Sequence, residues 1–154
     1  MKYGYCYETP IGVLCFVEDD GYLTACGFQV GNGIIQEETA LIKQAYLEVM
    51  DYFSDNLKVF TVPLRVEGTA FQKAVFKTLL EVSYGDVVSY ADLAKRLNQP
   101  KAVRAVGGAL NKNPLLVFIP CHRVIGKDGS LGGFAGDIEI KKWLLRHENE
   151  SHDF

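Results

Sequence analysis

Residues 89–124 read SYADLAKRLNQPKAVRAVGGALNKNPLLVFIPCHRV, and this stretch decides the fold of the C-terminal half of the chain. Ser89 is a residue type that caps helices, and a short helix is predicted to follow it. The residues of that helix that share one face are Tyr90, Leu93, Ala94 and Leu97. Asn98-Gln99-Pro100 predicts a turn. A second helix over 101–110 completes a pattern typical of a helix-turn-helix.

The predicted second helix has two different faces. Its apolar face is expected to be buried and consists of Ala102, Ala105, Val106 and Ala109. Its other face lacks the Lys and Glu of a typical solvated helix and consists of Arg104, Gly107, Gly108 and Asn111. Each glycine costs about 1 kcal/mol of helix stability relative to alanine. Such a smooth face suits close approach to DNA, but it also suits tight packing against a neighbouring helix, and the pattern leaves both interpretations open.

An apolar run over 114–120 ends at Pro120, which fixes the backbone directly before Cys121. Only a thiolate is a good nucleophile, and an unperturbed thiol has a pKa of about 8.5. His122 is placed to act as a general base, directly or through a water. The charge of Arg123 either favours the thiolate or holds the loop by hydrogen bonds. A buried cysteine beside a structural histidine is the alternative, and spacing alone does not decide between them.

The first 68 residues predict a small antiparallel sheet followed by a helix. The three β-prone runs are separated by turn signals and cover 3–7, 13–17 and 22–28. A helix over 35–53 is predicted next, and its inner face consists of Ile42, Ala45, Val49 and Phe53. A strand-like piece at 59–62 precedes the loop around Gly68, where we place the boundary between an N-terminal supporting domain, 1–68, and a C-terminal domain, 69–154.

The C-terminal domain is predicted to be mostly helical. Thr69 can cap a helix over 70–82. The residues of this helix expected to face inward are Phe71, Ala74, Val75 and Leu79. The predicted architecture is therefore α/β: a small N-terminal antiparallel sheet plus a helix, joined to a mostly helical domain that contains the helix-turn-helix.

Composition and charge restrict the class of protein. The 154 residues are 48% hydrophobic and 23% charged, which is typical of a soluble globular protein. We expect neither a signal peptide nor a membrane span, and we expect a cytoplasmic location, or a nuclear one in a eukaryote. Residues 85–147 carry ten Lys or Arg against five Asp or Glu, whereas the remainder carries six against fourteen. This asymmetry permits phosphate binding by the C-terminal half.

The four cysteines do not have the spacing of a zinc site, because none belongs to a Cys-x-x-Cys pair and only three histidines occur. No metal is therefore expected. In a reducing compartment Cys6, Cys15 and Cys26 are expected to be small buried hydrophobes. Cys121 is a separate case because of its neighbours.

The segment 120–124, Pro-Cys-His-Arg-Val, resembles the active-site signature of the O6-alkylguanine-DNA alkyltransferases, also called methylated-DNA–protein-cysteine methyltransferases. Further segments match in the order and spacing of that family: Ser89-Tyr90, 100–109, Asn113-Pro114, 132–134 and 141–148. The likeness is close over 69–148 and looser over 1–68, where it rests on 9–12 and on the order of strands and helix.

The resemblance implies DNA repair by a stoichiometric transfer of a methyl or other alkyl group from O6-alkylguanine, with O4-alkylthymine as an alternative substrate. Cys121 would accept the alkyl group. His122 would deprotonate it through a water, oriented by Glu148, and Asn113 would brace the turn. Tyr90 would help rotate the target phosphate and donate a proton towards the departing guanine. No cofactor is implied, because the DNA supplies the alkyl group.

The resemblance also implies how double-stranded DNA is bound, by a chain expected to be a monomer. Arg104 would enter the base stack through the minor groove and fill the space of the flipped nucleotide. The other residues expected at the DNA are Ser89, Tyr90, Gly107, Gly108 and Arg123. The expected substrate pocket consists of Val124, Phe134, Ala135, Gly136 and Lys141. Lys141 either supports the leaving group electrostatically or is an exposed, solvated lysine.

Three residues depart from the commonest family pattern. Phe134 replaces a usual Tyr, Ala135 lacks the hydroxyl of a Ser, and Asp137 stands where a second glycine is frequent. These changes bear on the range of alkyl substrates and on sensitivity to inhibitors. The main rival function is that of an alkyltransferase-like protein, which flips lesions but lacks the acceptor cysteine. A thiol hydrolase would leave the Arg104 helix unexplained, and a DNA-binding regulator would leave Cys121 unexplained.

Overall fold

A computed structural model describes residues 1–132 and 137–149. The chain divides into two units, Met1–Glu67 and Gly68–Phe154. The first unit is a sheet with one helix, and the second is mostly helical, so the predicted fold class is confirmed. Within the described ranges, no helix is long and apolar enough to cross a membrane.

The N-terminal unit is built on a four-stranded sheet of order β3-β2-β1-β4. Its strands are β1 (Lys2–Thr9), β2 (Gly12–Asp19), β3 (Tyr22–Gly27) and β4 (Ile35–Gln36). The first three run antiparallel, as the sequence predicts. Between β2 and β3, Asp20 and Gly21 have positive φ angles of 53° and 81°. A two-residue hairpin turn requires this conformation to match the twist of its strands.

Helix α1 (Ala40–Phe53) begins at Ala40, and the predicted start at Ile35 is wrong. The hydroxyl of Thr39 accepts a hydrogen bond from the N–H of Ile42 and caps the helix. Ile35 instead pairs with Tyr3 in the short parallel strand β4. The buried face consists of Ile42, Ala45, Val49 and Tyr52, so Tyr52 takes the place expected for the half-buried Phe53.

Cys6 and Cys15 form a disulfide across β1 and β2, which corrects the expectation that both are free buried residues. The two residues face each other directly in the antiparallel register, where side chains of neighbouring strands are close enough to be bridged. Cys26 on β3 is a buried free thiol, as expected.

The strand expected at 59–62 does not form, and Val59 is 75% exposed. The chain hydrogen-bonds to the edge strand β3 only further along, at Pro63 and Arg65. The N–H of Leu23 donates to the carbonyl of Pro63, and the N–H of Arg65 donates to the carbonyl of Leu23, at 2.9 and 3.0 Å. Before that point the carboxylate of Glu48 on α1 holds the segment, because it accepts hydrogen bonds from the backbone N–H and the hydroxyl of Thr61. Hydrogen bonds to the side chain of Glu48 therefore take the place of the strand pairing expected for this segment.

The C-terminal unit contains four helices and a short parallel strand pair among its described residues. These elements are α2 (Ala70–Leu79), β5 (Val88–Ser89), α3 (Tyr90–Arg96), α4 (Val103–Leu110), β6 (Val124–Ile125) and α5 (Ile138–Glu148). Thr69 and Gln72 cap α2 reciprocally, each side chain bonding the backbone of the other. Ala74 was expected to face inward on α2 but is exposed, and Phe76 is buried. The inner face is rotated relative to the prediction, because this rotation buries the larger apolar side chain.

Candidate active site and DNA-binding face

The backbone around Cys121 is held by its own hydrogen bonds. Residues Cys121–Arg123 form a single 3-10 turn, in which the N–H of Arg123 donates to the carbonyl of Pro120 at 3.0 Å. β6 follows at once, and its pairing with β5 sets Val124 beside Val88. The turn is buried, and Cys121 is 3% exposed. The thiol therefore has a defined position that does not depend on a mobile loop.

Asn113 connects the turn before the cysteine to the thiol itself. Its Nδ2 donates to the carbonyl of Ile119 at 3.0 Å and to Sγ of Cys121 at 2.9 Å. Its Oδ1 accepts a hydrogen bond from the N–H of Leu115 at 2.9 Å. Because Asn113 is itself buried, these contacts brace the segment between residues 113 and 121. The structure thus brings Asn113 to the place expected for it.

Burial raises the pKa of the Cys121 thiol to about 11. The hydrogen bond from Asn113 and the charge of Lys141 act in the opposite direction, because both favour the thiolate. At neutral pH the resting group is a thiol. Nucleophilic chemistry at this site therefore requires a base that removes the proton when the substrate is bound.

His122 and Glu148 form a buried pair, with His122 Nε2 at 2.6 Å from Glu148 Oε2. Burial alone would raise the pKa of Glu148, but its hydrogen bonds to His122 and Arg123 outweigh burial and hold that pKa well below its ordinary value. The carboxylate is therefore ionised and only accepts, so Nε2 carries the hydrogen and Nδ1 carries the lone pair. His122 Nδ1 is buried without a hydrogen-bond partner in the described part of the chain.

Burial also lowers the pKa of His122, and the charges of Arg123 and Lys141 lower it further against the opposing effect of Glu148. The imidazole is thereby kept neutral. A neutral imidazole with a free lone pair is the form that can accept a proton. Among the sequence-predicted residues, the structure brings together Cys121, His122, Glu148 and Asn113 in one buried cluster.

Arg123 lies inside this cluster, which corrects the expectation that it contacts DNA. Its Nε and Nη2 donate to the two oxygens of Glu148 at 2.8 and 3.0 Å, and its Nη1 donates to the carbonyl of Val82 at 2.7 Å. The side chain is 8% exposed. A guanidinium engaged in this way is not presented to a phosphate. Of the two roles considered for it, holding the loop by hydrogen bonds is the one the structure supports.

Lys141 is fully buried, so the alternative of an exposed, solvated lysine is wrong. Its Nζ donates to the carbonyl of Val124 at 2.6 Å and to the carbonyl of Leu131. Burial lowers the pKa of Lys141 to about 8, while the nearby Cys121 thiolate raises it. Lys141 therefore ties α5 to the strand after the cysteine and to the start of the next loop. It also supplies positive charge close to the thiol.

Tyr90 lies at the edge of the cluster, half-buried at the start of α3. Its hydroxyl donates to the carbonyl of Leu131 at 3.4 Å, and its ring centre is 5.8 Å from Nζ of Lys141. Burial raises the pKa of Tyr90, and Cys121 raises it further. A side chain at Gly132, whose φ is +65°, would collide with the Tyr90 hydroxyl. Glycine is thus required beside Tyr90 for both space and backbone conformation.

Ser89, expected at the DNA, is half-buried and its side chain caps a helix. Its hydroxyl accepts a hydrogen bond from the N–H of Asp92 at 3.0 Å and caps α3. Asp137, one of the three departures from the family pattern, is likewise a helix cap, because its Oδ1 accepts a hydrogen bond from the N–H of Glu139 at 2.7 Å at the start of α5. Phe134, Ala135 and Gly136 of the expected pocket lie outside the described residues.

The outer face of α4 is open. Arg104 and Gly108 are exposed and Gly107 is half-buried, and a Cβ atom added at either glycine would meet no atom within 4 Å. The glycines are therefore not required by packing within the described protein, which removes one of the two interpretations of this face. Ala105 is also exposed, contrary to expectation, and extends the smooth surface. Val106 and Ala109 are buried as predicted, and Leu110 is buried with them.

Two contacts to the cluster were not predicted. The N–H of Gly85 donates to Oε1 of Glu148 at 3.2 Å, and Nδ2 of Asn149 donates to the carbonyl of Gly85 at 3.3 Å. The sequence indicated only the end of a helix at 84–86. The available signal was the glycine itself, whose φ of +85° is a conformation that favours glycine. Within 1–132 and 137–149, no group of three or more His, Cys, Asp or Glu side chains is arranged to hold a metal ion.

Comparison with known proteins agrees with this site. The family model described as 6-O-methylguanine DNA methyltransferase, DNA binding domain, matches residues 70–150. A methylated-DNA–protein-cysteine methyltransferase of Haemophilus influenzae is 40% identical over 149 residues, which cover 92% of this chain and 83% of that protein. One of Methanosarcina acetivorans is 40% identical over 148 residues, covering 92% and 95%. The crystal structure of Mycobacterium tuberculosis OGT in complex with DNA has a TM-score of 0.91 at 34% identity, covering 96% and 93%.

These matches, together with a buried thiol next in sequence to a hydrogen-bonded His–Glu pair, define a DNA-repair alkyltransferase. The chain belongs to the family of the 6-O-methylguanine-DNA methyltransferases, and the resemblance carried by residues 120–124 is confirmed.

Proposed function

We propose that this chain repairs O6-alkylguanine in double-stranded DNA by moving the alkyl group to Sγ of Cys121, once per molecule, with O4-alkylthymine as a second substrate. The observation that carries the proposal is the paired arrangement around the thiol. Asn113 donates to Sγ of Cys121 at 2.9 Å, and the next residue, His122, is held by Glu148 at 2.6 Å.

The proton of Cys121 leaves through His122. Because Nε2 of His122 donates to Glu148, its Nδ1 is free to accept, and leaving that buried nitrogen unsatisfied costs about 1–3 kcal/mol. A water placed between Nδ1 and Sγ would satisfy the nitrogen and pass the proton to it. The imidazolium that forms is stabilised by the carboxylate of Glu148, in the logic of a hydrolase triad.

The thiolate then attacks the alkyl carbon of the flipped base. A carbon–sulfur bond forms as the bond between the carbon and the guanine O6 breaks, and the electron pair of the broken bond stays on the guanine. The departing guanine takes up a proton, which the hydroxyl of Tyr90 donates. Lys141 stabilises the thiolate before the transfer and the negative guanine during it, because its ammonium is buried where charges are poorly screened.

The product is a thioether, which does not leave at neutral pH. The protein is therefore consumed by the reaction and the transfer is stoichiometric. All the side chains assigned to the reaction come from one chain, so we propose that it acts as a monomer. Its compartment is the one that holds the DNA, the cytoplasm or, in a eukaryote, the nucleus.

DNA is proposed to dock on the outer face of α4. A base inside the duplex cannot present its O6 substituent to a buried thiol, so it must be extruded. Arg104 fills the space that the base leaves, and the lack of side chains at Gly107 and Gly108 allows the backbone of the helix to come close to the DNA. We expect little sequence preference, since most contacts are to phosphate.

The docking face is tested by Gly108→Ala. The substitution is expected to stabilise the protein by about 1 kcal/mol, because the added methyl group meets no atom within 4 Å and alanine favours helix. It should also weaken DNA binding several-fold, because that methyl group stands between helix and DNA. Thermal melting and DNA-binding titrations at one salt concentration measure the two effects. Gly31→Ala, at another open glycine, is the control; unchanged DNA binding by Gly108→Ala would remove α4 from the interface.

The proposed reaction is tested by counting lesions. A duplex with a single O6-methylguanine is incubated with a limiting amount of protein, and the remaining O6-methylguanosine is measured by mass spectrometry of the digested DNA. The loss should stop at one lesion per protein molecule. The Cys121→Ser variant should bind the duplex and remove none. If the wild-type protein binds the lesion without removing it, the chain is a lesion-recognition protein instead.

A further inference from the structure

Glu148 is shared between two cationic or potentially cationic partners. It holds His122 through one oxygen, and Arg123 contacts both oxygens. Building on the alkyl transfer proposed above, we propose that Arg123 is a positioning residue that keeps His122 in its neutral, proton-accepting form by sharing the carboxylate of Glu148 with it.

The geometry fixes the carboxylate in place. The guanidinium of Arg123 forms two parallel hydrogen bonds to Glu148, at 2.8 and 3.0 Å, and its third donor, Nη1, is anchored on the carbonyl of Val82 at 2.7 Å. The backbone N–H of Gly85 adds a further hydrogen bond to the same carboxylate at 3.2 Å. A planar fork with two bonds to one carboxylate fixes both its position and its rotation. Glu148 therefore meets Nε2 of His122 in one defined orientation.

Through the same contacts Arg123 and His122 share the negative charge of the Glu148 carboxylate. A buried histidine that faced Glu148 alone would feel a full negative charge at 2.6 Å and would tend to hold a proton. Arg123 places a compensating positive charge next to that carboxylate. The side chains of Glu148 and His122 are only 2% and 0% exposed, so the interactions of Glu148 with Arg123 and with His122 are poorly screened and strong. A protonated His122 could not take the proton of Cys121.

Other charged or titratable groups near His122 have to be considered with Arg123. Glu148 and Lys141, both on α5, act on His122 directly. Tyr90 on α3 faces Cys121 and Lys141, and the ring centre of Tyr84 is 5.9 Å from the Arg123 guanidinium carbon. Lys141 also disfavours the imidazolium, but it binds two carbonyl groups and not Glu148. Arg123 is thus the cation that controls both the charge and the orientation of the carboxylate.

Three substitutions separate the effect of the charge of Arg123 from the effect of its two-bond geometry. Arg123→Met removes both, and Arg123→Gln keeps hydrogen-bond donors without the charge. Arg123→Lys keeps the charge without the two-bond fork. Lys142→Met is the control, because Lys142 follows Lys141 on α5 but its ammonium donates to Glu139, at 3.4 Å, outside the cluster.

Two readouts are compared for each variant. The first is the single-turnover rate of methyl transfer from an O6-methylguanine duplex between pH 5 and pH 9. The second is the pKa of His122, followed by NMR of histidine-labelled protein and assigned with His122→Gln. The NMR titration requires no DNA, so it tests the inference even if the chain transfers no alkyl group.

In Arg123→Met and Arg123→Gln the rising limb of the rate profile is expected to move up by about one pH unit, with a matching rise in the pKa of His122. At a pH on that limb the transfer should be about tenfold slower than in the wild type, and the rates should converge at alkaline pH. Arg123→Lys should keep the position of the limb but lower the rate at every pH. Lys142→Met should match the wild type.

If Arg123→Met or Arg123→Gln folds and shows neither a shifted rate profile nor a shifted His122 pKa, the inference is overturned. Arg123 then has only a structural role. If neither Arg123→Met nor Arg123→Gln folds, Arg123→Lys provides the test. This variant keeps the positive charge, so a shift in the rising limb of its pH–rate profile would contradict the inference that this charge keeps His122 neutral. A wild-type protein that removes no methyl group, but whose His122 titrates as stated, would refute the proposed function and leave the inference about Arg123 standing.

Discussion

Cys26 and Cys121 are both buried free thiols, yet their surroundings differ. Cys26 lies on β3, where burial raises its pKa strongly. Burial also raises the pKa of Cys121, but only to about 11, because Asn113 and Lys141 favour its thiolate. Burial alone makes a cysteine inert, whereas burial among polar groups makes a thiol that a neighbouring base can deprotonate on demand.

Removal of the base is expected to have the largest effect. His122→Gln should slow methyl transfer by about 10²–10⁴-fold, the usual contribution of general acid–base catalysis, and make Cys121 behave more like Cys26. Single-turnover kinetics with an O6-methylguanine duplex measure the loss. His147→Gln, on the helix that carries Glu148, is the comparison for an unrelated histidine. A rate for His122→Gln within a few-fold of the wild type would show that the proton leaves by another route.

Removal of the hydrogen bond to the thiol comes next. Asn113→Leu should raise the pKa of Cys121 further and slow transfer at neutral pH by about tenfold for each pKa unit gained. The pKa is read from the pH dependence of iodoacetamide labelling. The variant should also lose about 1–3 kcal/mol of stability, because the backbone groups of Ile119 and Leu115 lose their partner. Asn56→Leu, at an exposed asparagine of the N-terminal unit, is the matched control; an unchanged thiol pKa in Asn113→Leu would count against the bracing role.

The charge of Lys141 should produce a smaller effect that depends on pH. Its pKa is lowered to about 8, so the ammonium is present below that pH and lost above it. Transfer should therefore decline several-fold as the pH rises past about 8, after its rise at lower pH as His122 loses its proton. Lys141→Met should lack this decline and be slower below pH 8, whereas Lys142→Met should retain it. A decline that persists in Lys141→Met would assign it to another group.

The smallest effect on transfer is expected at Cys26. Cys26→Ser should leave the rate unchanged but cost about 1–3 kcal/mol of stability, because it buries a hydroxyl among apolar groups. Thermal melting measures the loss of stability, and single-turnover kinetics measure the rate of methyl transfer. A slower transfer in a variant that is fully folded at the assay temperature would mean that Cys26 is more than a core residue.

The sequence predicted the parts of the fold that depend on local patterns. The three antiparallel strands follow from β-prone runs and turn signals, and the cap of α2 from Thr69. The errors occur where distant contacts decide. Ile35 belongs to a strand because it pairs with Tyr3, and the segment after α1 is held by Glu48 rather than by a ladder. No local pattern contains that information.

The candidate site shows the same division. Cys121, His122 and Asn113 are close in sequence, and the family pattern identifies them together. The resemblance names Glu148 as the partner of His122 but not of Arg123, and it therefore assigns Arg123 to the DNA. The fold shows that Arg123 shares the same carboxylate, 25 residues away. The glycines of α4 were open to two interpretations until the space around them was known.

The most direct test of the central claim is the intact mass of the protein after incubation with a duplex that contains one O6-methylguanine. The account predicts a gain of one methyl group, located on the Cys121 peptide and absent from Cys121→Ser, with the Cys26 peptide unmodified. Tight binding without a change in mass, or a methyl group on any residue other than Cys121, would contradict it.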